Sequence, residues 1–493
     1  MRAIRIHPED SVAVALDALA AGEEITVGGN NIILRDPIPA GHKFTLAPLP
    51  AGAVVRKYGE PIGRTTCALP AGAYLHSQQM CSLLDGLADY EYRPALRQTA
   101  PLPPGTFQGY RRADGQVGIR NEIWILPTVG CVNAVASAVE QRAQAYLTPE
   151  IDGIYAYHHP YGCSQLGGDL EATLHLLCGM IRHPNAGGVL VLGLGCENGN
   201  IGELKQRLGA YDERRVQFLV CQDAEDEVAA ALEKLELLCA NARKARREPC
   251  PTSALVVGLK CGGSDGFSGI TANPLLGSLT DRLTAEGASA ILTEVPEMFG
   301  AETILMNRCR SRAVFDDTVR LINDFKRYFM RYGERIDENP SPGNKAGGIT
   351  TLAEKSLGCI QKGGKSTVED VLQYAQPVRV HGLSLLCAPG NDLVASCALA
   401  ASGAQLVLFS TGRGTPFGCP VPTVKLSSNT PLAEKKRGWI DFDAGTLLSG
   451  RSMPELTDGL YRYVLALASG DVRAKAEAFD RHTLAIFKDG VTL

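Results

Sequence analysis

The chain has 493 residues, of which 45% are hydrophobic and 21% are charged, and its formal net charge is −4. This balance does not predict the basic surface of a nucleic-acid-binding protein. The sequence contains no run of about 18 apolar residues, so we predict no membrane span. The start, "MRAIRIHPEDSVAVALDALAAGEE", lacks the long apolar core of a signal peptide. We therefore predict a cytoplasmic protein that acts on a small molecule, with no nucleic-acid or membrane partner, and we expect a homo-oligomer, a dimer in the simplest case.

The 15 cysteines are scattered along the chain. They lack the dense spacing of a small, disulfide-rich secreted module. In a reducing compartment, such thiols are either buried core residues or metal ligands.

The first part of the chain, residues 1–80, is predicted to be a small β module. Its short apolar runs are separated by turns such as "PIPAG", "PLPAG" and "LPAGA". Pro-Ala-Gly turns repeated at about ten-residue intervals are typical of short strands in a compact sheet. Residues 81–108, which contain "LPPG", are predicted to be a linker.

The remainder alternates buried strands with helices. Apolar runs such as "NEIWILPTVG", "GGVLVLGLGCE" and "SALVVGLKCGG" are separated by helical patterns such as "LEATLHLLCGMI". This alternation predicts a doubly wound parallel α/β body over residues 109–335. A second, smaller α/β part is predicted over residues 336–493, from "GLSLLCAPGN", "AQLVLFSTGRG" and "TVKLSSN".

Ligands of open parallel sheets bind beyond the carboxyl ends of the strands. The predicted strand ends carry thiols, imidazoles and carboxylates, which are Cys131, Cys163, Cys196, Cys261, His158, His159, Glu197, Asp265, Glu294 and Glu297. Their convergence on one edge favours a metal site or an acid–base site. Cys178, Cys239 and Cys250 fall in helices or a loop and are predicted to be structural.

The glycine-rich segments do not predict a nucleotide site. "CIQKGGKS" nearly fits a phosphate loop, but it begins with Cys359 and no buried strand precedes it. "GLGCEN" follows a strand but lacks the dinucleotide-binding glycine pattern. We therefore expect no nicotinamide or nucleotide cofactor.

Nine segments in order resemble the altronate dehydratase family, which includes galactarate dehydratase and sulfolactate sulfo-lyase. These segments are "GHKFTL", "VGIRNEIWILPTVGCVN", "YGCSQLG", "VLGLGCEN", "GLKCGGSDGFSGITANP", "LTEVPEMFGAE", "NPSPGNKAGGITTLAEKSLG", "APGNDLVA" and "LFSTGRGTPFG". The resemblance extends over essentially the full chain. It implies an N-terminal SAF-like β-clip module followed by the dehydratase body.

The resemblance also implies an activity and a cofactor. The implied reaction is the loss of water from D-altronate to give 2-dehydro-3-deoxy-D-gluconate in hexuronate breakdown, and the implied cofactor is Fe²⁺, with Mn²⁺ as an alternative. Relatives tend to carry an "HxH" pair in the β module, whereas this chain reads "LHSQQ", so that His76 remains and Gln78 takes the second place.

Dehydration of a 2,3-dihydroxy acid requires a base for the C2 proton, stabilisation of the enediolate and an acid for the C3 hydroxyl. We assign the base to His42 or Lys43, and His76 to metal binding or to protonation of the leaving group. The candidate metal ligands are Cys163, Cys196, Glu197, Cys261 and Glu297. The candidate substrate-binding residues are Ser264, Asp265, Asn344, Lys345, Asp392, Arg413 and Asn429.

Three alternatives remain at this point. The same body could act on galactarate or sulfolactate. Four thiols at one sheet edge, Cys131, Cys163, Cys196 and Cys261, also permit an iron–sulfur protein, although their spacing matches no compact cluster signature. The third alternative is a non-catalytic sugar-acid receptor that uses the β module for binding.

Overall fold

The computed structural model describes residues 2–97, 99–479 and 482–493. The N-terminal module consists of short antiparallel strands: β1 (Ala3–Ile4), β2 (Val12–Ala15), β3 (Glu24–Val27), β4 (Asn30–Ile33), β5 (Lys43–Thr45), β6 (Val54–Lys57), β7 (Glu60–Thr65), β8 (Tyr74–Leu75) and β9 (Met80–Cys81). They form sheets of order β1-β2-β5-β8, β3-β4 and β6-β7-β9. The predicted β module is confirmed.

The segment after this module contains no helix or strand among its described residues until residue 106. It is nevertheless docked on the body of the protein. The Tyr90 hydroxyl donates to the carboxylate of Glu302 at 2.5 Å, and the Tyr92 hydroxyl donates to the carbonyl oxygen of Cys309 at 2.8 Å.

The middle region contains a small antiparallel sheet and a four-stranded parallel sheet. Its strands are β10 (Thr106–Arg111), β11 (Val117–Gly118), β12 (Glu122–Pro127), β13 (Gly153–Ala156), β14 (Ala186–Gly193), β15 (Val216–Val220) and β16 (Glu248–Pro251). Its helices are α1 (Asn133–Ala143), α2 (Gly167–Arg182), α3 (Ile201–Leu208) and α4 (Glu227–Ala242). The parallel sheet has the order β13-β12-β14-β15.

The C-terminal region contains a seven-stranded parallel sheet. Its strands are β17 (Val256–Cys261), β18 (Ser289–Leu292), β19 (Val368–Leu372), β20 (Gly382–Leu386), β21 (Leu406–Thr411), β22 (Thr423–Ser427) and β23 (Phe442–Asp443). Its helices are α5 (Ala272–Ala285), α6 (Glu302–Met306), α7 (Arg312–Arg331), α8 (Pro342–Ala346), α9 (Leu352–Cys359), α10 (Asp392–Ala401), α11 (Thr430–Lys435) and α12 (Met453–Ser469). The order is β19-β20-β18-β17-β21-β22-β23.

The parallel α/β body is therefore confirmed, and its strands divide between two sheets. Residue 335, where the sequence predicts a domain boundary, falls between β18 and β19 of one sheet. The sequence does not show this because β18 is connected to β19 through four helices, α6 to α9, and a loop-rich segment that resembles a linker. The chain instead passes from one parallel sheet to the other through β16.

The two parallel sheets share a hydrophobic core. Trp124 of β12 and Phe409 of β21 belong to the same cluster of buried side chains, together with Leu177 of α2 and Leu399 of α10. Because alternate residues of β12 lie in two different core clusters, both faces of its sheet are covered. None of the described helices is long and apolar enough to cross a membrane.

Candidate active site

The connections of the seven-stranded sheet reverse direction between β17 and β21, because β17 leads to β18 on one side and β21 leads to β22 on the other. Ligands of open α/β sheets bind at the carboxyl ends of the strands at such a point. The two loops are joined there by backbone hydrogen bonds. The Gly262 amide donates to Ser410 O at 3.0 Å, and the Gly412 amide donates to Gly263 O at 3.0 Å.

The N-terminal module meets this edge through the turn at Gly41. A Cβ atom at Gly266 would lie 1.9 Å from the carbonyl oxygen of Gly41, and a Cβ atom at Gly348 would lie 2.5 Å from the same oxygen. Only glycine permits backbones to approach this closely. The packing places the residue that follows the turn, His42, beside the reversal point.

The imidazoles of His42 and His76 stack, with ring centroids 5.4 Å apart. Nε2 of His76 lies 2.9 Å from Lys345 O, and Nε2 of His42 lies 3.3 Å from Ala346 O. On its other side, Nδ1 of His42 lies 2.6 Å from the Tyr74 hydroxyl. Both histidines therefore face the C-terminal end of α8, and the structure brings these two predicted catalytic residues together.

Burial lowers the pKa of His42 to about 4, so that its imidazole is neutral at neutral pH. A carbonyl oxygen can only accept a hydrogen bond, so the contact of His76 with Lys345 O requires a hydrogen on Nε2 of His76. Nδ1 of His76 lies 3.0 Å from the Ser77 hydroxyl.

Lys43 points away from the histidines into a buried ion triad. Its ammonium lies 2.9 Å from the carboxylate of Glu354 and 2.7 Å from Gly348 O, and the ammonium of Lys57 lies 2.8 Å from the same carboxylate. Burial lowers the pKa of Lys43 to about 8, although Glu354 opposes the shift. Lys43 joins the β module to α9, and every polar contact of its ammonium is directed at that joint.

Asp265 was predicted to contact a substrate hydroxyl, but its carboxylate accepts hydrogen bonds from other side chains of the protein. It accepts hydrogen bonds from Ser268 Oγ at 2.9 Å, from Ser428 Oγ at 2.7 Å and from Asn429 Nδ2 at 3.0 Å. The oxygen of the Asn429 side chain accepts from the Leu432 amide. Asp265 and Asn429 therefore tie the loop after β17 to the loop after β22.

The other predicted substrate contacts line the same edge. The side-chain amide of Asn344 donates to Ser264 O at 2.9 Å, and this hydrogen bond links α8 to the loop after β17. Asp392 is paired with Lys260 at 2.8 Å. The exposed Arg413 makes a single long contact, 3.3 Å to Gly343 O, and within the described residues the ammonium of Lys345 has no partner. These two cations are available to an anion.

A cluster of buried charges lies directly beneath this edge. The amide of Cys261 donates to Glu294 at 3.0 Å, and the ammonium of Lys362 lies 3.0 Å from Glu294 and 2.9 Å from Sγ of Cys261. Glu294 also bonds Lys260 and has a left-handed backbone with φ of 69°. A carboxylate held in a sparsely populated conformation is typical of functional sites.

Glu297 extends this cluster. Its carboxylate lies 3.2 Å from Sγ of Cys261 and 3.0 Å from Sγ of Cys359, and the two thiols are 3.5 Å apart. The ammonium of Lys355 lies 2.7 Å from Glu297. Burial opposes ionisation of Glu297, but Lys355, Lys260 and Lys362 outweigh it and hold the pKa of the carboxyl below its usual range.

A cavity lies beside the buried charged cluster. A cavity of about 670 Å³ is lined in part by Pro296, Asn339 and Gly390. Asn339 accepts from the ammonium of Lys355 at 3.1 Å, and Lys260 lies 3.4 Å from Gly390 O. A small polar molecule in this cavity would contact groups that directly bond the cluster.

The remaining predicted metal ligands lie on the other parallel sheet. Cys163 and Cys196 follow β13 and β14, whereas Cys261 ends β17. The carboxylate of Glu197 accepts from Thr128 Oγ1 at 2.6 Å and from the Gly195 amide at 2.7 Å. Glu197 therefore ties its own loop to the end of β12, and the five predicted ligands do not form one site.

The sequence did not predict several members of the buried cluster and the ion triad, namely Lys57, Lys260, Glu354, Lys355, Cys359 and Lys362. Cys359 and Lys362 belong to "CIQKGGKS", which was considered only as a phosphate loop. The available signal was a lysine within the apolar strand "ALVVGLKC", because a lysine inside a buried parallel strand requires a buried counter-charge.

Comparison with known families matches three consecutive regions. Residues 1–83 match the altronate/galactarate dehydratase SAF domain. Residues 109–243 match the second domain of D-galactarate dehydratase/altronate hydrolase, and residues 252–492 match the C-terminal D-galactarate/altronate dehydratase domain.

Similar proteins cover the whole chain. An altronate dehydratase of Escherichia coli is 50% identical over 100% of both chains, and an altronate dehydratase of Bacillus subtilis is 49% identical over 99% of both chains. An L-threo-forming galactarate dehydratase of Escherichia coli is 33% identical over 98% of this chain and 96% of its own. With these matches and this site geometry, the chain belongs to the altronate/galactarate dehydratase family of hydro-lyases.

Proposed function

We propose that the protein dehydrates D-altronate to 2-dehydro-3-deoxy-D-gluconate. The observation that carries this proposal is the stacked pair of His42 and His76 beside two available cations, Lys345 and Arg413. A sugar acid offers one carboxylate for the cations and adjacent C–H and hydroxyl groups for the histidines. The relatives at 50% and 49% identity, both described as altronate dehydratases, support this substrate over others.

His42 is proposed to remove the C2 proton at Nε2. For Nε2 to act as the base, its long 3.3 Å contact with Ala346 O is given up and the ring hydrogen lies on Nδ1, from which the Tyr74 oxygen accepts a hydrogen bond. The low pKa of His42 keeps the imidazole in the neutral form that a base requires. His76 is proposed to act as an imidazolium and to donate a proton to the departing C3 hydroxyl, which leaves as water, while His42 returns the C2 proton that it has taken to solvent. The resulting enol tautomerises to the 2-keto acid.

Arg413 and Lys345 are proposed to hold the substrate carboxylate. Guanidinium binds a carboxylate through two parallel hydrogen bonds, which fixes the orientation of the acid as well as its position. A cation near the carboxylate also favours the enediolate, whose additional negative charge develops on that group.

Fe²⁺ remains the proposed cofactor, with Mn²⁺ as the alternative. The donor set of Cys261, Glu297 and Cys359, whose ligand atoms lie within 4.8 Å of one another, suits a transition metal by chemistry. The charges around these three residues do not suit a metal ion. Lys362 and Lys355 already bond Cys261 and Glu297, at 2.9 Å and 2.7 Å, so a divalent ion would enter beside two buried ammonium groups. A divalent metal therefore does not fit this position.

A substrate panel tests the proposal. The purified enzyme is incubated anaerobically with D-altronate, D-galactarate or (2R)-sulfolactate, with Fe²⁺, Mn²⁺, Zn²⁺ or Mg²⁺ added singly, and 2-keto acid formation is followed. We expect the largest kcat/KM for D-altronate with Fe²⁺. Faster turnover of either other acid would overturn the substrate assignment, and binding of D-altronate without turnover under all four metals would favour a receptor.

A further inference from the structure

Three exposed thiols converge at the carboxyl edge of the four-stranded sheet, away from the candidate active site. Cys131 follows β12, Cys163 follows β13 and Cys196 follows β14, and these three strands are neighbours in the sheet. The connections of this sheet reverse between β12 and β14, so the thiols lie at its reversal point. All three are exposed and free.

Each thiol directly follows a glycine whose backbone allows the loops to pack together. Gly162 has φ of +100°, and a Cβ atom there would lie 2.2 Å from Thr128 O. Gly195 has φ of +126°, and a Cβ atom at Gly130 would lie 2.9 Å from His159 O. The repeated Gly-Cys pair therefore has a structural cause, which is that each cysteine leaves a loop pressed against its neighbour.

Hydrogen bonds join the three loops directly. The Gly130 amide donates to Tyr161 O at 2.8 Å, which links the first and second loops. The Ser164 amide donates to Asn198 Oδ1 at 3.1 Å, which links the second and third. Glu197, buried beneath the third loop, bonds Thr128 at the end of β12 and thereby closes the set. The thiols project from a preformed rim.

The surroundings of these thiols differ from those of Cys261 and Cys359. The polar contacts of Cys163 and Cys196 are neutral and long, 3.6 Å to Ser164 Oγ and 3.9 Å from Gln222 Nε2. In the part of the chain that the structure describes, no lysine or arginine side chain hydrogen-bonds Cys131, Cys163 or Cys196. The rim therefore has ligand sulfur without a built-in counter-charge, which a bound cation would supply.

The spacing of the three thiols does not fit a single small ion. Among the described residues, Cys261, Glu297 and Cys359 form the group whose ligand atoms all lie within 4.8 Å of one another, and the three rim thiols do not. Three sulfurs on one Zn²⁺, with Zn–S bonds of about 2.3 Å, would lie closer than this. Thiolates are also the ligands that hold iron–sulfur clusters, which spread their ligands more widely. We propose that Cys131, Cys163 and Cys196 hold an iron–sulfur cluster.

The test uses the full chain purified without oxygen and reconstituted with Fe²⁺ and sulfide. We expect visible-region absorption, iron and acid-labile sulfide in roughly equal amounts, and a Mössbauer signature of a cluster. Cys131→Ser, Cys163→Ser and Cys196→Ser are each expected to lose most of the sulfide and the absorption. Because the thiols are exposed, the thermal unfolding midpoints of the variants should match that of the wild type when all proteins are compared without the cluster.

Two other exposed thiols provide matched controls. Cys67→Ser and Cys81→Ser remove exposed thiols of the N-terminal module and are expected to retain the wild-type cluster content. Zn²⁺ bound without sulfide, absorption that survives all three rim substitutions, or equal loss in the two controls would each overturn the proposal. None of these readouts uses D-altronate turnover, so their failure is distinguishable from failure of the proposed dehydration.

Discussion

The hydroxyl of Tyr74 lies 2.6 Å from Nδ1 of His42 at the edge of the N-terminal module. This contact follows from strand pairing, because Tyr74 of β8 is the partner of Phe44 in β5, two residues after His42. His76 stacks on both rings, 5.4 Å from His42 and 5.6 Å from Tyr74. The β module therefore holds the three side chains as one unit before any substrate binds.

Tyr74→Phe should lower kcat for D-altronate about 10- to 100-fold with little change in KM, the size typical of losing a group that orients a functional side chain. The phenyl ring keeps the packing but removes the oxygen that holds Nδ1 of His42. Tyr92→Phe, whose hydroxyl bonds Cys309 O, is the matched control and should keep wild-type kcat. An unchanged kcat in Tyr74→Phe would show that His42 needs no such partner.

The pH profile distinguishes the two proposed bases. A base must be unprotonated, so kcat/KM falls as the pH drops below its pKa. With His42 as the base, the acid-side decrease should lie near its pKa of about 4, whereas with Lys43 it should lie near about 8. We expect the former, measured by rapid assay after circular dichroism has shown the fraction folded at each pH.

Burial of His42 also makes the free energy of unfolding depend on pH. Its folded pKa of about 4 lies below its ordinary value of 6.5, so the unfolded chain binds more protons in this window. This group therefore makes the protein less stable as the pH falls from about 6.5 towards 4.

The architecture could be predicted from the sequence because each buried parallel strand is a continuous apolar run that ends in glycine and polar residues. The sequence also selected His42, Lys345 and Arg413 as candidates because each lies beside glycines, and the structure places all three at α8, while their functional roles stay predictions. It could not reveal that the oxygens of Asp265 are satisfied by Ser268, Ser428 and Asn429, because those partners include residues more than 160 positions away.

The lack of information on long-range contacts also explains why the sequence grouped cysteines of two different sheets as candidate ligands of one metal. Strand-end cysteines look alike in sequence, and only the strand order shows that Cys163 and Cys196 lie on one sheet while Cys261 lies on another. Lys43 illustrates a further limit. Adjacent residues of a strand point to opposite faces, so His42 and Lys43 diverge although they are neighbours in sequence.

Glu354→Gln should destabilise the protein by about 3–5 kcal/mol, the cost of leaving buried charge without its partner. The carboxylate balances two ammonium groups, Lys43 at 2.9 Å and Lys57 at 2.8 Å, and all three side chains are essentially inaccessible. Urea unfolding measures the change. Glu455→Gln breaks an exposed ion pair with Arg451 and should cost less than about 1 kcal/mol.

Burial opposes the charge of Glu354, but Lys43 and Lys57 hold the pKa of this carboxyl well below its ordinary value of 4.5. Its stabilising contribution is therefore present above the unfolded pKa and is lost as the pH falls further. Glu354→Gln should flatten this part of the stability–pH curve. A wild-type and variant curve of equal slope would contradict the ion triad.

Arg413→Gln should raise KM for D-altronate about 10- to 100-fold, because a hydrogen bond to a charged group contributes about 1.5–3 kcal/mol. Arg413→Lys should restore only part of the affinity, since an ammonium cannot make two parallel bonds to a carboxylate. Arg451→Gln changes an exposed arginine of the C-terminal region and should leave KM unchanged. A wild-type KM in Arg413→Gln would remove this residue from substrate binding.

Cys359→Ser should leave the metal content of the purified enzyme unchanged. The buried cluster has three ammonium groups, Lys260, Lys355 and Lys362, opposed by the carboxylates Glu294, Glu297 and Asp392. A hydrogen bond to Cys261 and burial also raise the pKa of the Cys359 thiol, which opposes the thiolate that a metal requires. Elemental analysis of the wild type, Cys359→Ser and Cys196→Ser after identical loading decides the matter: loss of iron in Cys359→Ser alone would place the metal beside Glu297, whereas loss in Cys196→Ser alone would place it at the exposed thiols.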